Sequence, residues 1–456
     1  MNVALVVPNF RWIEGSENFM WDYIPYNLCI LASTLTDKGY SVKIIDAYKK
    51  NMTYTTFMYS LKEADPDYVG ITCMMDHYGE ALHLAAEYTK RVSPGTHVIV
   101  GGVYPTINPH KCRADSNIDI VIVGEGEHAL VNTIARNCEV GTKIVRGSFK
   151  RPLDELPRPA YHLLPLQDYI NSWSRPSVDR PPALPYARII TSRGCPYRCN
   201  FCQVHSIVPD YKVRSAENIL EEMHWLARKH KIKSWVFDDD NLLEDRERAI
   251  KLFLGMKRLN LNYPWTSIAT PIFKVDSEML TYMKDSGCIY VDYAIESGCE
   301  RVLKEVIHKP VNLGQAYNIV GLTRAIGIYT VCNFIIGFPT ETWIEIRESL
   351  RVADEIGADY VKISTATPLR QTELWSQCEQ LGCFKDGFTE KDMWLTGQIE
   401  TAEFSAKSLT VLRAYEWDRI NFSSEEKRKK TAERMGISLN QLAEIRKSTL
   451  EKVRGN

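Results

Sequence analysis

No apolar run in this 456-residue sequence is long enough to span a bilayer; NFIIGF is typical of the longest. Neither sign of charge is in excess. Lys plus Arg number 56 against 57 Asp plus Glu, a net charge of −1, which removes any global pull towards nucleic acid or an anionic membrane surface. The opening residues, MNVALVVPNF, have no basic stretch ahead of their apolar ones. They read as a buried strand and not as a signal peptide, so a cytoplasmic chain without a membrane span is expected. Internal repeats and low-complexity tracts are missing too. What is there is globular: 45% hydrophobic and 25% charged residues exclude a mainly disordered chain. The length calls for two or three domains.

Cysteine, by contrast, is plentiful, with 12 residues. In a reducing compartment these are thiols or metal ligands, not disulfides. Nine are scattered (Cys29, Cys73, Cys112, Cys138, Cys288, Cys299, Cys332, Cys378 and Cys383), mostly in apolar contexts that suit small core residues. The other three, Cys195, Cys199 and Cys202, are clustered.

The chain organises around alternating strand and helix patterns. Over residues 1–149, NVALVVP, SVKIID, DYVGITC, HVIVGG and DIVIVG are apolar runs separated by helix-length segments. This is an α/β pattern of βαβ units and predicts a doubly wound parallel sheet, which binds ligands at the carboxyl ends of its strands. Residues 150–187 are dense in proline and read as an ordered linker. Over 188–384 the alternation returns with RIITSR, SWVFDDD, WTSIAT, YVDYAIE, TVCNFIIGF and DYVKIST. Six such units predict an incomplete (β/α)6 barrel or strongly curved sheet with its chemistry at the strand ends. Residues 385–456 turn helical, and their highly charged last part reads as a solvated helical end.

The segment TSRGCPYRCNFCQVH sets its cysteines in a C-x3-C-x2-C run directly after a predicted strand. Three thiolates on one short loop suit three irons of a four-iron, four-sulfur cube and leave the fourth iron open. The alternative is a structural zinc closed by His205, although C-x3-C-x2-C-x2-H is not a common finger spacing.

The stretch GCPYRCNFC resembles the signature of the radical S-adenosylmethionine (SAM) superfamily. The resemblance implies a [4Fe-4S] cluster on Cys195, Cys199 and Cys202, with Phe201 lying against the adenine of SAM. One electron then splits the sulfonium and yields a 5′-deoxyadenosyl radical. Further motifs follow in order. VFDDDN supplies Asp238, Asp239 and Asp240, candidates to orient substrate or SAM. IESG supplies Glu296, Ser297 and Gly298, similar to a SAM-contacting segment. NFIIGFPTET supplies Gly337, Phe338 and Pro339, similar to the element flanking the adenosine. Here Glu296 is expected to accept from the ribose or the ammonium, and the Gly-Phe-Pro turn to expose backbone amides to an adenine edge.

The first domain, from IPYNLCILASTLTDKGYSVKIID to IVIVGEGE, resembles the Rossmann-like cobalamin-binding domain that precedes the barrel in one radical SAM branch. LDELPRPAYHLLPLQDY and ETAEFSAKSLTVLRAY extend the likeness to about residue 420. It implies cobalamin at strand ends carrying Thr72, Gly101, Gly102, Thr106, Gly124, Glu125 and Gly126. The bland reading is that these glycines make βα turns. Two features depart from the pattern. The D-x-H-x-x-G element of many cobalamin proteins is absent, and His77 reads as a helix-start residue. ATPLRQTELW also stands where relatives commonly carry a Pro-Gly-Thr turn, and there Arg370 reads equally as an anion contact or a surface residue.

The expected function is therefore a cobalamin-dependent radical SAM enzyme that methylates an unactivated carbon of a small-molecule substrate. An electron donor of the flavodoxin or ferredoxin type is implied, and no nucleic acid. Two alternatives remain open. One is radical chemistry without methyl transfer (dehydration, cyclisation or rearrangement), with the front domain used differently or empty. The other is a non-catalytic iron–sulfur or zinc sensor.

Overall fold

The computed structural model describes residues 1–14, 16, 23–139, 143–389 and 394–454. The chain divides into two compact units, Met1–Ser174 and Arg175–Asn456. The division falls inside the proline-dense segment.

The first unit is built on a six-stranded sheet: β1 (Asn2–Val7), β2 (Ser41–Asp46), β3 (Tyr68–Thr72), β4 (His97–Gly101), β5 (Ile120–Gly124) and β6 (Ile144–Gly147). The order is β2-β1-β3-β4-β5-β6, with every pairing parallel. β3 is buried at every residue, as a central strand covered on both faces must be. The order reverses between β1 and β3, which puts the ligand crevice of such a sheet at Val7 and Thr72. Five strands are those expected. β6 was not read from the sequence: it is a four-residue edge strand with half-exposed residues, too short for a periodic signal. The proline-rich chain packs on this unit. Ala160 N donates to Cys29 O (3.0 Å), Ser33 Oγ to Arg158 O (2.6 Å), and the buried Tyr169 hydroxyl to Asp46 Oδ2 (2.6 Å).

The second unit carries the incomplete barrel. Its strands are β7 (Tyr186–Ile189), the short β8 (Ser192–Arg193) and β9 (Lys212–Val213), then β10 (Ser234–Phe237), β11 (Trp265–Thr270), β12 (Cys288–Glu296), β13 (Tyr329–Ile336) and β14 (Tyr360–Thr365). The main sheet runs β14-β13-β12-β11-β10-β7, again all parallel and in chain order. The run expected as one strand over RIITSR is broken. β7 stops at Ile189, and β8 turns aside to pair antiparallel with β9. That small ribbon brackets the cysteine loop.

The charged C-terminal part differs from the solvated end expected of it. Helices Ala406–Phe422, Glu425–Met435 and Leu439–Arg454 bring Phe422, Ala432, Met435 and Leu442 into one buried cluster with Val178, Tyr290 and Val331. Tyr290, Val331 and Tyr360 lie near the starts of β12, β13 and β14, so this cluster covers the end of the barrel opposite the cysteine loop. Asn421 acts as an extra strand on the β14 edge. Its Oδ1 accepts from Val361 N (2.7 Å) and its Nδ2 donates to Val361 O (2.9 Å). Apolar residues this sparse are enough because each is placed at a helical interval on the inward side. No helix among the described residues is long and apolar enough to cross a membrane.

Candidate functional site

The cysteine loop begins at Gly194, whose φ of +76° is a left-handed conformation; a Cβ there would lie 2.7 Å from Asp210 O. Cys195, Cys199 and Cys202 are partly exposed free thiols. The loop is held on several sides. Cys202 N donates to Cys199 O (3.0 Å), Asn200 N to Ile307 O (3.2 Å), and Leu374 N to Asn200 O (2.9 Å). Gln203 Nε2 donates to Arg370 O (2.9 Å) and Ser206 Oγ to Gln371 O (2.9 Å). The loop after the first barrel strand is thus tied to the loop after the last. Arg370 lays its guanidinium over the Trp375 ring at 4.5 Å.

Burial pushes all three thiols up, Cys199 to about 12 and Cys202 to about 11, while the Lys309 ammonium pulls each of them down. Metal must therefore displace protons on binding. Among the described residues no three His, Cys, Asp or Glu side chains close on one point as a single-ion site requires. Three thiols along one loop suit a polynuclear cluster, in which each thiolate takes a different iron. The residues present fit such a group. The other cysteines are buried, apart from the partly exposed Cys138.

The aspartates at the end of β10 have three distinct settings. Asp238 Oδ2 accepts from Arg188 Nη1 (2.7 Å). Asp239 is buried in the wall. Its Oδ1 accepts from Thr191 N (2.8 Å), Thr191 Oγ1 (2.9 Å) and Ser192 Oγ (2.6 Å), while Arg248 Nη1 donates to Thr191 Oγ1 (2.8 Å). This network pins the break between β7 and β8, which the sequence alone did not reveal. Burial raises the Asp239 carboxyl to about 6. Asp240 interacts with the Gly194 N–H at the head of the cysteine loop. Asn241, the next residue, brings Nδ2 to 4.0 Å from Cys195 Sγ.

Glu296 ends β12 with a φ of +76°, after a register shift between Ala294 and Glu296. Its Oε1 accepts from Lys309 Nζ at 2.7 Å. Lys309 escaped the sequence reading because it stands alone, 13 positions on. Ser297 and Gly298 do a packing job: Ser297 Oγ and Gly298 N both meet Ser349 Oγ (2.9 and 3.0 Å). A Cβ on Gly298 would come 2.7 Å from Ser349 Cα, so helix Trp343–Glu355 rests directly on it.

Phe201 and Phe338 come together with ring centroids 6.2 Å apart, joining the cysteine loop to the end of β13. The Gly-Phe-Pro turn corrects one expectation. Its amides are not left open for an adenine edge: Gly337 N and Phe338 N both donate to Glu341 Oε2 (2.6 and 3.1 Å). Gly337 has a φ of +89°, and a Cβ on it would reach Leu409 Cδ1 at 2.4 Å, so helix Ala406–Phe422 seats against this turn. Pro339 follows the buried Phe338 without an amide to satisfy.

Glu341 is 1% exposed, and burial raises its carboxyl to about 7 from the ordinary 4.5. The folded chain then holds this proton more tightly than the unfolded chain. Its contribution to stability falls as pH rises from about 4.5 to about 7 and is level above that. Glu341→Gln is expected to remove a pH dependence on the order of 3 kcal/mol. Urea midpoints of both proteins across that range measure it.

In the first unit, Thr72 Oγ1 accepts from Asn27 Nδ2 (3.0 Å), Thr106 Oγ1 accepts from Gly124 N (3.0 Å), and Glu125 Oε2 accepts from Phe149 N (2.8 Å). Gly102 and Gly124 have positive φ. A Cβ on either would strike neighbouring backbone, Cys73 O at 2.8 Å and Gly147 O at 2.6 Å, so both serve close packing of strand ends. A Cβ on Gly101 or Gly126 would meet only ordinary contacts, with Ile122 and Leu31. His77 is the middle residue of the short turn Asp76–Tyr78 that leads into helix Gly79–Val92, and burial lowers its imidazole to about 4. Strand ends carrying such glycines suit a large ligand held through backbone.

Comparison with known proteins finds a match for each unit. Residues 189–353 match the radical SAM superfamily, and residues 18–134 match the B12 binding domain. An uncharacterised methyltransferase of Pyrococcus horikoshii is 31% identical over 369 residues, covering 77% of each chain. Cytidylyl-2-hydroxyethylphosphonate methyltransferase of Streptomyces wedmorensis is 28% identical over 422 residues, covering 78% of each. Among solved structures, the radical SAM methyltransferase TsrM of Kitasatospora setae superposes with a TM-score of 0.71 at 16% identity, over 100% of this chain and 99% of that one. The cobalamin-dependent radical SAM enzyme OxsB does so with a TM-score of 0.73 at 16% identity, over 99% and 72%. The three-thiol loop, the open parallel barrel and the doubly wound front unit are therefore those of a family: this chain belongs to the radical SAM superfamily, in the branch that carries a B12-binding domain ahead of the barrel.

Proposed function

We propose that this enzyme methylates an unactivated carbon of a small molecule, with Cys195, Cys199 and Cys202 as cluster ligands. When bound, the cluster, SAM and cobalamin supply the electron, the 5′-deoxyadenosyl radical and the methyl group that the reaction needs. The observation that carries the reading is the pairing, in one chain, of a three-thiol loop with a B12-binding type sheet, in a protein 31% identical to a methyltransferase over 77% of its length.

The protein's own part is to hold and orient. Phe201, partly exposed, offers apolar ring surface beside the thiols, suited to a nucleobase, and the buried Phe338 ring backs it. Glu296 offers carboxylate oxygen at the strand end. Arg301 grips Glu345 through two bonds (Nε to Oε1 2.5 Å, Nη2 to Oε2 2.8 Å) and donates to Thr340 O (2.9 Å), so the turn after β13 is fixed before any ligand arrives. Asp238 and Asp240 remain the candidates to orient substrate, while Asp239 holds the strand leading into the cysteine loop. The reductant is proposed to be a flavodoxin or ferredoxin.

The test is anaerobic reconstitution with iron, sulfide and cobalamin, followed by product analysis under a strong reductant. Methyl transfer predicts corrin absorbance and two SAM-derived products, 5′-deoxyadenosine and S-adenosylhomocysteine. Absence of corrin, with 5′-deoxyadenosine as the sole product, rejects methylation in favour of a rearrangement or cyclisation.

A further inference from the structure

Lys309 reaches the cysteine loop by an uncommon backbone route. Residues Val302–Ile307 form a π-helix, and His308 then takes a left-handed conformation with a φ of +62°. π-Helical turns are rare and recur at functional sites. Lys309 N is fastened to Leu303 O (2.9 Å), and the same turn accepts Asn200 N from the cysteine loop at Ile307 O (3.2 Å). The partner of Lys309 is equally unusual, since Glu296 occupies the left-handed region at a strand bulge. Two strained segments therefore converge on one ion pair, whose side chains are 9% and 8% exposed. A buried ion pair gains little stability by itself, because desolvation offsets the attraction. The arrangement calls for another purpose.

The charge pattern supplies one. Ile307 O holds Asn200 N, between Cys199 and Cys202, so the turn sets the Lys309 ammonium beside the cysteine loop with Glu296 as its counter-charge. In keeping with this, Lys309 favours the charged form of all three thiols, and Glu296 and Asp240 oppose it. A cluster on three thiolates becomes more negative by one charge when it takes up an electron. A fixed cation in a poorly solvated site favours that reduced form, and an anion disfavours it.

We propose that Lys309 is a tuning residue that sets the reduction potential of the cluster on Cys195, Cys199 and Cys202, with Glu296 moderating its charge. The inference rests on the proposed ligand set. The step is a one-electron transfer from an external low-potential reductant to the oxidised cluster; no bond breaks and no proton moves.

An EPR-monitored redox titration of the reconstituted protein without SAM tests it. Lys309→Met is expected to lower the equilibrium constant for reduction about tenfold, a shift of ~59 mV to more negative potential for one electron. Lys309→Arg keeps the charge and is expected to stay near the wild type. Glu296→Gln frees the ammonium from its counter-charge and is expected to shift the potential the other way. A loaded Lys309→Met protein with wild-type potential overturns the proposal. If Lys309→Met does not take up iron, Glu296→Gln decides, and an unmoved or more negative potential there overturns it. A wild-type protein that assembles no cluster refutes the ligand assignment instead.

Discussion

Cys199→Ala is expected to reduce SAM cleavage by at least ~1000-fold, about 4 kcal/mol of transition-state stabilisation. The middle cysteine is the one whose neighbours do most of the structural work. Its carbonyl accepts Cys202 N, and the next residue, Asn200, bonds both to Ile307 and to Leu374. Those bonds are made by backbone and survive removal of the thiol, so the loop keeps its shape while one iron loses its ligand. A cluster with two protein thiolates is labile, and every later step depends on it. The control is Cys383→Ala. Cys383 is buried at the far end of helix Glu373–Leu381, beside Cys378. Its loss is expected to leave iron content and cleavage intact. Iron and sulfide analysis together with 5′-deoxyadenosine formation distinguish the two variants. Equal cleavage by wild type and Cys199→Ala removes the basis of the assignment.

Lys362→Met is expected to destabilise the protein by about 3–5 kcal/mol, the cost of stripping a buried charge of its partner. Lys362 lies on β14 and donates to Asp292 Oδ2 on β12 at 2.6 Å. The Asp292 side chain is 1% exposed; the Tyr290 hydroxyl also donates to its Oδ2 (3.4 Å) and Asn333 hydrogen-bonds it, but Lys362 is the cation that faces it. Burial raises its carboxyl, and Lys362 opposes that rise. With the ammonium gone, the protein must either bury an unpaired carboxylate or hold it protonated. Asp292→Asn in the same background is expected to recover part of the loss, since a neutral amide has no charge to strand. Denaturant unfolding of wild type, the single variants and the double variant completes the cycle. A Lys362→Met protein as stable as wild type shows that the pair is idle.

The fold was legible where the physics is repetitive. Central parallel strands are buried on both faces and read as unbroken apolar runs, so DYVGITC, DIVIVG and TVCNFIIGF announce themselves. Helices with end signals were as clear: AENILEEMHWLARKH corresponds to Ala216–His230, opened by the Ser215 cap. Short or edge elements were not. β6 has four residues, and the ribbon of β8 and β9 has two in each strand, held by distant side chains such as Asp239. The site divides in the same way. The cysteine motif is local, so its spacing pointed to a metal-binding loop and its resemblance to a family signature pointed to the chemistry. The fate of the Gly337 and Phe338 amides depends on where Glu341 turns its carboxylate, and Lys309 matters because a π-helix carries it back to Glu296; neither is written in a contiguous motif.

The three terminal helices have a consequence for how such an enzyme can vary. A sheet of six strands does not close on itself, and its inner residues need a floor. Here the floor comes from a highly charged part of the chain, with Met435 and Leu442 turned inward and Lys429, Lys447 and Lys452 exposed. These inward residues thus seal one mouth, while helix Ala406–Phe422 runs on to meet the Gly337 turn through Leu409. The reactive rim lies at the opposite mouth, so loops there can be exchanged to suit a new compound without reopening the base.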